Sequence, residues 1–339
     1  PGLQPLEQEL AGGAYHHEEF DDHREFLLER LRAGLRVQYK PETAYWVAFD
    51  NSVPAYLPLY MLSRQRDRDR IAAAAAAGGF RGLDEELLFS SGWEWGYWQN
   101  DVASLRAEFE PPTSVLAQLE HQYAPDHPEL PPRIFELALA QHDALIVQRL
   151  AAYQAGRDAL IDRGADAGII AAPDRIDVDN VAMLTPTARA EFAADVVAKL
   201  TAYATRLAEI AARTERLAAP DRWAAEVIDG VAMARLRAQF IAAIYRAAVA
   251  AADGDAAAGA TELAAAEATL AEARTVVARR HADLHDDDPR LTDAGQNYTL
   301  YQYGYLYFAN SLCFWERERV MAANAVRGTA TIPPGCFFP

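Results

Sequence analysis

The stretch DRWAAEVIDGVAMARLRAQFIAAIYRAAVAAADGDAAAGATELAAAEATLAEARTVVARR, residues 221–280, decides the architecture. Its first half carries Trp223, Val227, Val231, Ala234, Ala238, Ile241 and Tyr245 at steps of three and four, the spacing of one helical face. Asp253-Gly254 interrupts the pattern, and Leu263, Leu270 and Val277 then follow at strict intervals of seven. The alanines between them let a neighbouring helix approach closely. Two long helices joined by so short a turn are predicted to run antiparallel.

The same grammar extends on both sides. Upstream of Pro220, residues 186–217 read as a helix with Thr185 as N-cap and Pro186 at its first position. Its apolar stripe is Phe192, Val196, Tyr203, Leu207 and Ile210. Residues 131–156, opened by Pro131-Pro132, form another predicted helix. The last, over 297–324, is rich in aromatic residues, including Tyr298, Tyr301, Tyr305, Phe314 and Trp315. Residues 131–339 are therefore expected to form a long antiparallel helical bundle, with 111–130 as a linker.

The first 110 residues read differently. A helix from Glu18 to Ala33 ends at Gly34, and Leu35 to Tyr39 and Ala44 to Phe49 have the β-branched and aromatic content of short buried strands. A helix after Pro54 ends at Gly78-Gly79, and a further strand, Leu87 to Ser90, follows. This order predicts about two β/α units of a parallel sheet. The expected fold is thus mainly α: a partial parallel α/β layer over residues 1–110 followed by the bundle.

Composition narrows the function. Apolar residues make up 51% of the 339 and charged residues 24%, ordinary for a globular chain, while the net charge of −17 disfavours nucleic acid and anionic membrane surfaces. Lys40 and Lys199 are the only lysines and Ala72 to Ala77 is unbroken, a pattern of GC-rich bacterial coding. No apolar run reaches the ~18–20 residues of a transmembrane helix. The chain opens at Pro1, as a processed, fragmentary or trimmed chain would, and is expected to act outside the cytoplasm, secreted or periplasmic. Cys313 and Cys336, the only cysteines, can pair in an oxidising compartment or stand as separate thiols.

Parallel α/β folds place their chemistry at the C-terminal ends of strands. That rule puts Asp50 and Glu94 at one mouth, with Trp46, Trp93, Trp95, Tyr97 and Trp98 beside them and Glu42 and Asp101 as further carboxylates. Glycoside hydrolysis needs one protonated and one ionised carboxyl, with aromatic faces on which sugar rings stack. The segments 41–46 and 89–98 resemble late strands of a (β/α)8-barrel glycoside hydrolase with a helical C-terminal extension. The resemblance implies that a second polypeptide supplies the rest of the barrel, that the ligand is a carbohydrate, and that no cofactor is required. In the alternative reading the tryptophans plug the junction between the two regions. A non-enzymatic binding or assembly subunit would instead bury residues 93–98 and the aromatic last helix against a partner.

Two other constellations point to metal. Asp21-Asp22-His23-Arg24-Glu25 matches the DDxxE element of class I terpene synthases, and Asn100, Ser104 and Glu108 fall at the spacing of their second magnesium motif. The two elements lie closer together than that family places them. His16, His17, Asp21, Asp22 and His23 together, or His281 with His285, could hold a divalent metal, although the spacing fits no defined site. No Gly-rich phosphate loop, G-x-S-x-G elbow or H-E-x-x-H helix occurs.

Overall fold

The computed structural model describes residues 20–39, 56–86, 95–109, 114–123, 126–156, 175–217, 221–285 and 312–335. Its centre is a single long helix, α9 (Arg222–Ala252), with α10 (Ala256–His285) antiparallel to it across the tight turn at Gly254, where φ is +83°. Asp221 starts α9 by accepting hydrogen bonds from the N–H groups of Trp223 and Ala224, both 2.9 Å. Asp255 starts α10 through Ala258 N–H in the same way. Leu263, Ala266, Leu270, Ala273 and Val277 are all buried, so the interval of seven is filled in by alanines at alternating steps of three and four. This small-residue seam lets the two backbones lie close along their length.

Around α9 stand α8 (Ala198–Thr214) on one side and α11 (Cys313–Arg327) on another, with a short 3₁₀ turn over Val178–Met183 packed across both α9 and α11. α7 (Pro186–Phe192) runs into α8 through a wide π turn, Ala193–Val197. Thr185 caps α7 by accepting from Ala188 N–H. The wide turn corrects the predicted stripe. After Phe192 the next buried residue is Val197, five positions on, and Val196 is only half-buried. A π turn inserts one residue, which shifts the apolar face by one position.

The segment expected as one helix over 131–156 is also interrupted. α5 (Leu130–Gln141) opens into a second π turn, His142–Val147, Arg149 takes a left-handed conformation (φ 60°), and only the short α6 (Ala151–Ala155) follows. Within the stretch read as a linker, α4 (Val115–Tyr123) places Val115, Leu119 and Tyr123 in the main core. Of the predicted last helix, residues 297–311 lie outside the described residues. Phe314 and Trp315 are buried within the chain.

The partial α/β layer is not what the N-terminal region forms among the described residues. α1 (Phe20–Arg32) packs on α2 (Leu59–Gly78), and the only sheet among the described residues is β1 (Gln38–Tyr39) paired in parallel with β2 (Glu85–Glu86). Two residues per strand form too short a ladder to carry a layer. Leu35, expected in a buried strand, is 48% exposed. The proposed strands at 44–49 and 87–90 lie outside the described residues. Leu27, Leu28, Leu31 and Ile71 make a small cluster of their own, and Tyr56, Leu59 and α3 (Tyr97–Phe109) join the main core with the bundle. No described helix is long and apolar enough to cross a membrane.

The main core contains a fully buried ion pair. Arg237 of α9 binds Glu318 of α11 with two hydrogen bonds, 2.6 and 3.1 Å, and donates a third from Nε to the carbonyl of Gln154. The two residues are 1% and 3% exposed. The rings of Phe240 and Trp315 flank the guanidinium. Gly156 closes the site with φ +73°, and a Cβ there would overlap both the carboxylate and the guanidinium. Arg237→Met or Glu318→Gln alone should each cost about 3–5 kcal/mol, because each strands one buried group, and the Arg237→Met/Glu318→Leu double variant should cost less than either. Urea unfolding of the three variants checks the order.

Asp221 yields a second expectation. The Ala224 N–H is the largest influence on its carboxyl and lowers its pKa, burial opposes it, and His127, 2.7 Å away, and the Trp223 N–H lower it further. A carboxyl depressed in the fold contributes stability above the ordinary value near about pH 4 and loses it as pH falls through the lowered one. Asp221→Ala should cost about 1 kcal/mol at neutral pH and shrink toward nothing at low pH in a series of thermal melts.

Candidate functional site

Most of the residues singled out for glycoside chemistry, Glu42, Trp46, Asp50, Trp93 and Glu94, lie outside the described residues, as do His16 and His17. Asp21, Asp22 and His23 fall on α1. Among the described residues no three histidine, cysteine, aspartate or glutamate side chains come together as a metal site. Asn100 and Ser104 of α3 are both buried. Cys313 is disulfide-bonded, and Cys336, the only other cysteine, lies outside the described residues.

Trp95, Trp98 and Asp101 are described, and their surroundings are those of a packed junction. Trp95 is 1% exposed, and the guanidinium of Arg280 sits 4.3 Å from its ring centroid. Arg280 donates to Glu226 Oε1 at 3.0 Å, and the Gly96 N–H donates to the same oxygen at 3.1 Å. One carboxylate of α9 thus holds α10 and the start of α3 together. Gly96 has φ +62°, and a Cβ there would press on the ring of Tyr56. Trp98 packs edge-on to Trp223 at 5.2 Å and against Tyr123 at 5.5 Å. Asp101 is half-buried on α3, and Tyr97 begins that helix.

Beneath these rings runs a buried chain of amides and phenols. Tyr56 donates to Gln99 Oε1 at 2.7 Å, Gln99 donates to the Tyr123 hydroxyl, and Gln141 donates to the Tyr56 carbonyl at 2.8 Å. It ties α2, α3, α4 and α5 into one unit. Trp95 has no open face on which a sugar could stack. Trp95→Ala should lower stability by about 3–5 kcal/mol, the cost of removing a buried indole, as read by guanidinium unfolding.

A different place in the bundle is open. Between α5 and α8 lies a groove of about 420 Å³ whose walls include Glu136, Leu139, Ala140, Ala144, Ala202 and Tyr203, with Asp143, Gln148 and Arg206 at its polar side. A second, more open groove of about 640 Å³ runs along the other side of α8 past Ala193, Val197 and Thr201. The two share Ala202 and Arg206. Each is lined by one of the two π turns: Asp143 and Ala144 belong to the first turn, Ala193 and Val197 to the second.

The arginines of this place are already matched by carboxylates. Glu136 accepts from Arg206 at 2.6 Å and Arg213 at 2.7 Å, and Arg133 lies 3.5 Å away. Burial pushes the Glu136 carboxyl up, but the hydrogen bond and charge of Arg213, with the charges of Arg206 and Arg133, outweigh it and hold the group below the usual carboxylate range. Arg206 also reaches Glu209 at 3.2 Å, and Asp143 accepts from Gln148 at 2.8 Å. Tyr203 is 5% exposed, burial drives its phenol well above the ordinary range, and its hydroxyl has no hydrogen-bond partner.

Comparison with known proteins supplies no relative. No family model matches the chain, and neither the curated proteins nor the solved structures yield a match. The sequence reading had taken Tyr203 as one member of the α8 stripe, which describes its burial but not its unmatched hydroxyl. The wide turn leaves no mark in the sequence, where Val196 keeps the regular step of four from Phe192; it shows only in burial, which passes to Val197. Nothing in the pattern around 142–147 announces the other.

Proposed function

We propose that this chain is a small-molecule binding protein whose ligand occupies the groove between α5 and α8. The observation that carries the reading is the coincidence of both π turns with the two grooves that meet at Ala202 and Arg206. A π turn departs from regular helical hydrogen bonding and is found most often where a helix has been re-shaped for function. A volume of about 420 Å³ lies within the range of small-molecule sites. The lining has the usual division, an apolar floor with a few polar groups at one side.

The carbohydrate reading now rests on Asp50, Glu94, Trp46 and Trp93 and has lost Trp95 as a platform, because that indole is enclosed. The assembly reading has likewise lost Trp95, Phe314 and Trp315, which are buried within this chain rather than offered to another.

Ala202 is exposed and lines both grooves, so Ala202→Trp fills them without touching the core. Saturation-transfer NMR with a panel of neutral, anionic and cationic aromatic fragments should find millimolar or tighter binders to the unaltered chain. Ala202→Trp should abolish their signals at unchanged melting temperature. A panel with no binder, or binders indifferent to Ala202→Trp, would remove the reading.

A further inference from the structure

Resting on the groove as the binding site, we infer that its ligand is a molecule without negative charge that has an apolar body and one hydroxyl or carbonyl oxygen, and that Tyr203 is the residue that selects it. The argument begins with what the groove has left unmatched. Glu136 is bound by arginines, Arg206 is divided between Glu136 and Glu209, and Asp143 holds Gln148. An anionic ligand would have to break one of the arginine pairs to find a counter-charge. The Tyr203 hydroxyl is the lining group described with no partner at all.

A buried hydroxyl without a partner lowers the stability of the fold, and such groups are few in native proteins. Phenylalanine would fill the same volume on the α8 stripe without that cost. Retention of the hydroxyl at this one groove-lining position therefore points to a partner that arrives from outside. A phenol both donates and accepts, so it matches an alcohol, a phenol or a ketone. Burial keeps it protonated, as this role requires. The floor of Ala140, Ala144 and Ala202 leaves room for a ring, and Leu139 gives it an apolar wall. The oxygen is shut off from water, so a ligand engages it by displacing the adjoining turn, His142–Val147.

The probes are p-cresol, which donates and accepts, 4-methylanisole, which only accepts, and toluene, which does neither. Each is titrated into the full chain and followed by the amide shifts of residues 142–148 and by calorimetry. The unaltered protein should bind p-cresol about 5- to 50-fold more tightly than toluene, with 4-methylanisole between them, the ratio one buried hydrogen bond provides. Tyr203→Phe should bind all three alike and melt at the same or a higher temperature. If none of the probes binds, the groove reading itself falls, and this inference with it. If toluene equals p-cresol in the unaltered protein, or the preference for p-cresol survives in Tyr203→Phe, the groove stands and the role of Tyr203 is overturned. Should Tyr203→Phe melt lower, the hydroxyl has a structural partner and the inference likewise fails.

Discussion

The Arg237–Glu318 pair is the constraint on which the rest of the bundle depends. Two charges removed from water are tolerable only when each finds well-placed partners, and here the guanidinium satisfies both carboxylate oxygens and the Gln154 carbonyl. That geometry fixes the rotation of α11 about its axis relative to α9. It also brings the end of α6 against both helices, and it explains the glycine at position 156, since any side chain there would occupy the space of the pair. The aromatic flank of Phe240 and Trp315 excludes water and keeps the pair dry.

The need for such a device follows from composition. The seam between α9 and α10 is largely alanine and leucine, and small apolar surfaces fit one another in many registers. Polar residues placed within it discriminate among these registers. Asp229 is bound by both nitrogens of the Arg279 fork, and Glu226 by Arg280 and the Gly96 N–H. Arg235 reaches Glu272 and Glu215. The carboxylates of α9 thus meet the arginines of α10, and one of them also positions α3. Because arginine makes directional, two-pronged bonds to carboxylates, the near absence of lysine suits this use.

The groove beside α8 has the opposite character. Where the centre of the bundle pairs its buried charges, the two grooves beside α8 keep two irregular turns and one unpaired phenol. Local departures from the regular pattern lower stability and are concentrated where a protein does something other than fold. Each π turn widens the helix by one residue and thereby re-aims the side chains that line the cleft. The same insertion that moved the buried stripe from Val196 to Val197 opened space beside Ala193 and Ala198.

The helical bundle was legible in the sequence because long helices write their buried faces as periodicity. Val227, Val231, Ala238 and Ile241 of α9, and Leu263, Leu270 and Val277 of α10, are buried where their spacing places them. The cap at Thr185 and the break at Gly254 are local chemistry, readable from neighbouring residues. Leu35 was misread as buried because a short run such as Leu35 to Tyr39 has no periodicity to test, and its exposure depends on what covers it. Trp95 could not be told from a ligand platform by its residue type. Only the arrival of Arg280 and Glu226, 185 and 131 positions further along the chain, shows the indole to be enclosed. The groove was illegible for the same reason. Its walls come from α5 and α8, some 60 residues apart, and its distinguishing feature is a hydroxyl with nothing to bind, which no sequence records. Sequence alone determined which faces must be buried; tertiary packing decided which polar groups found partners and which did not.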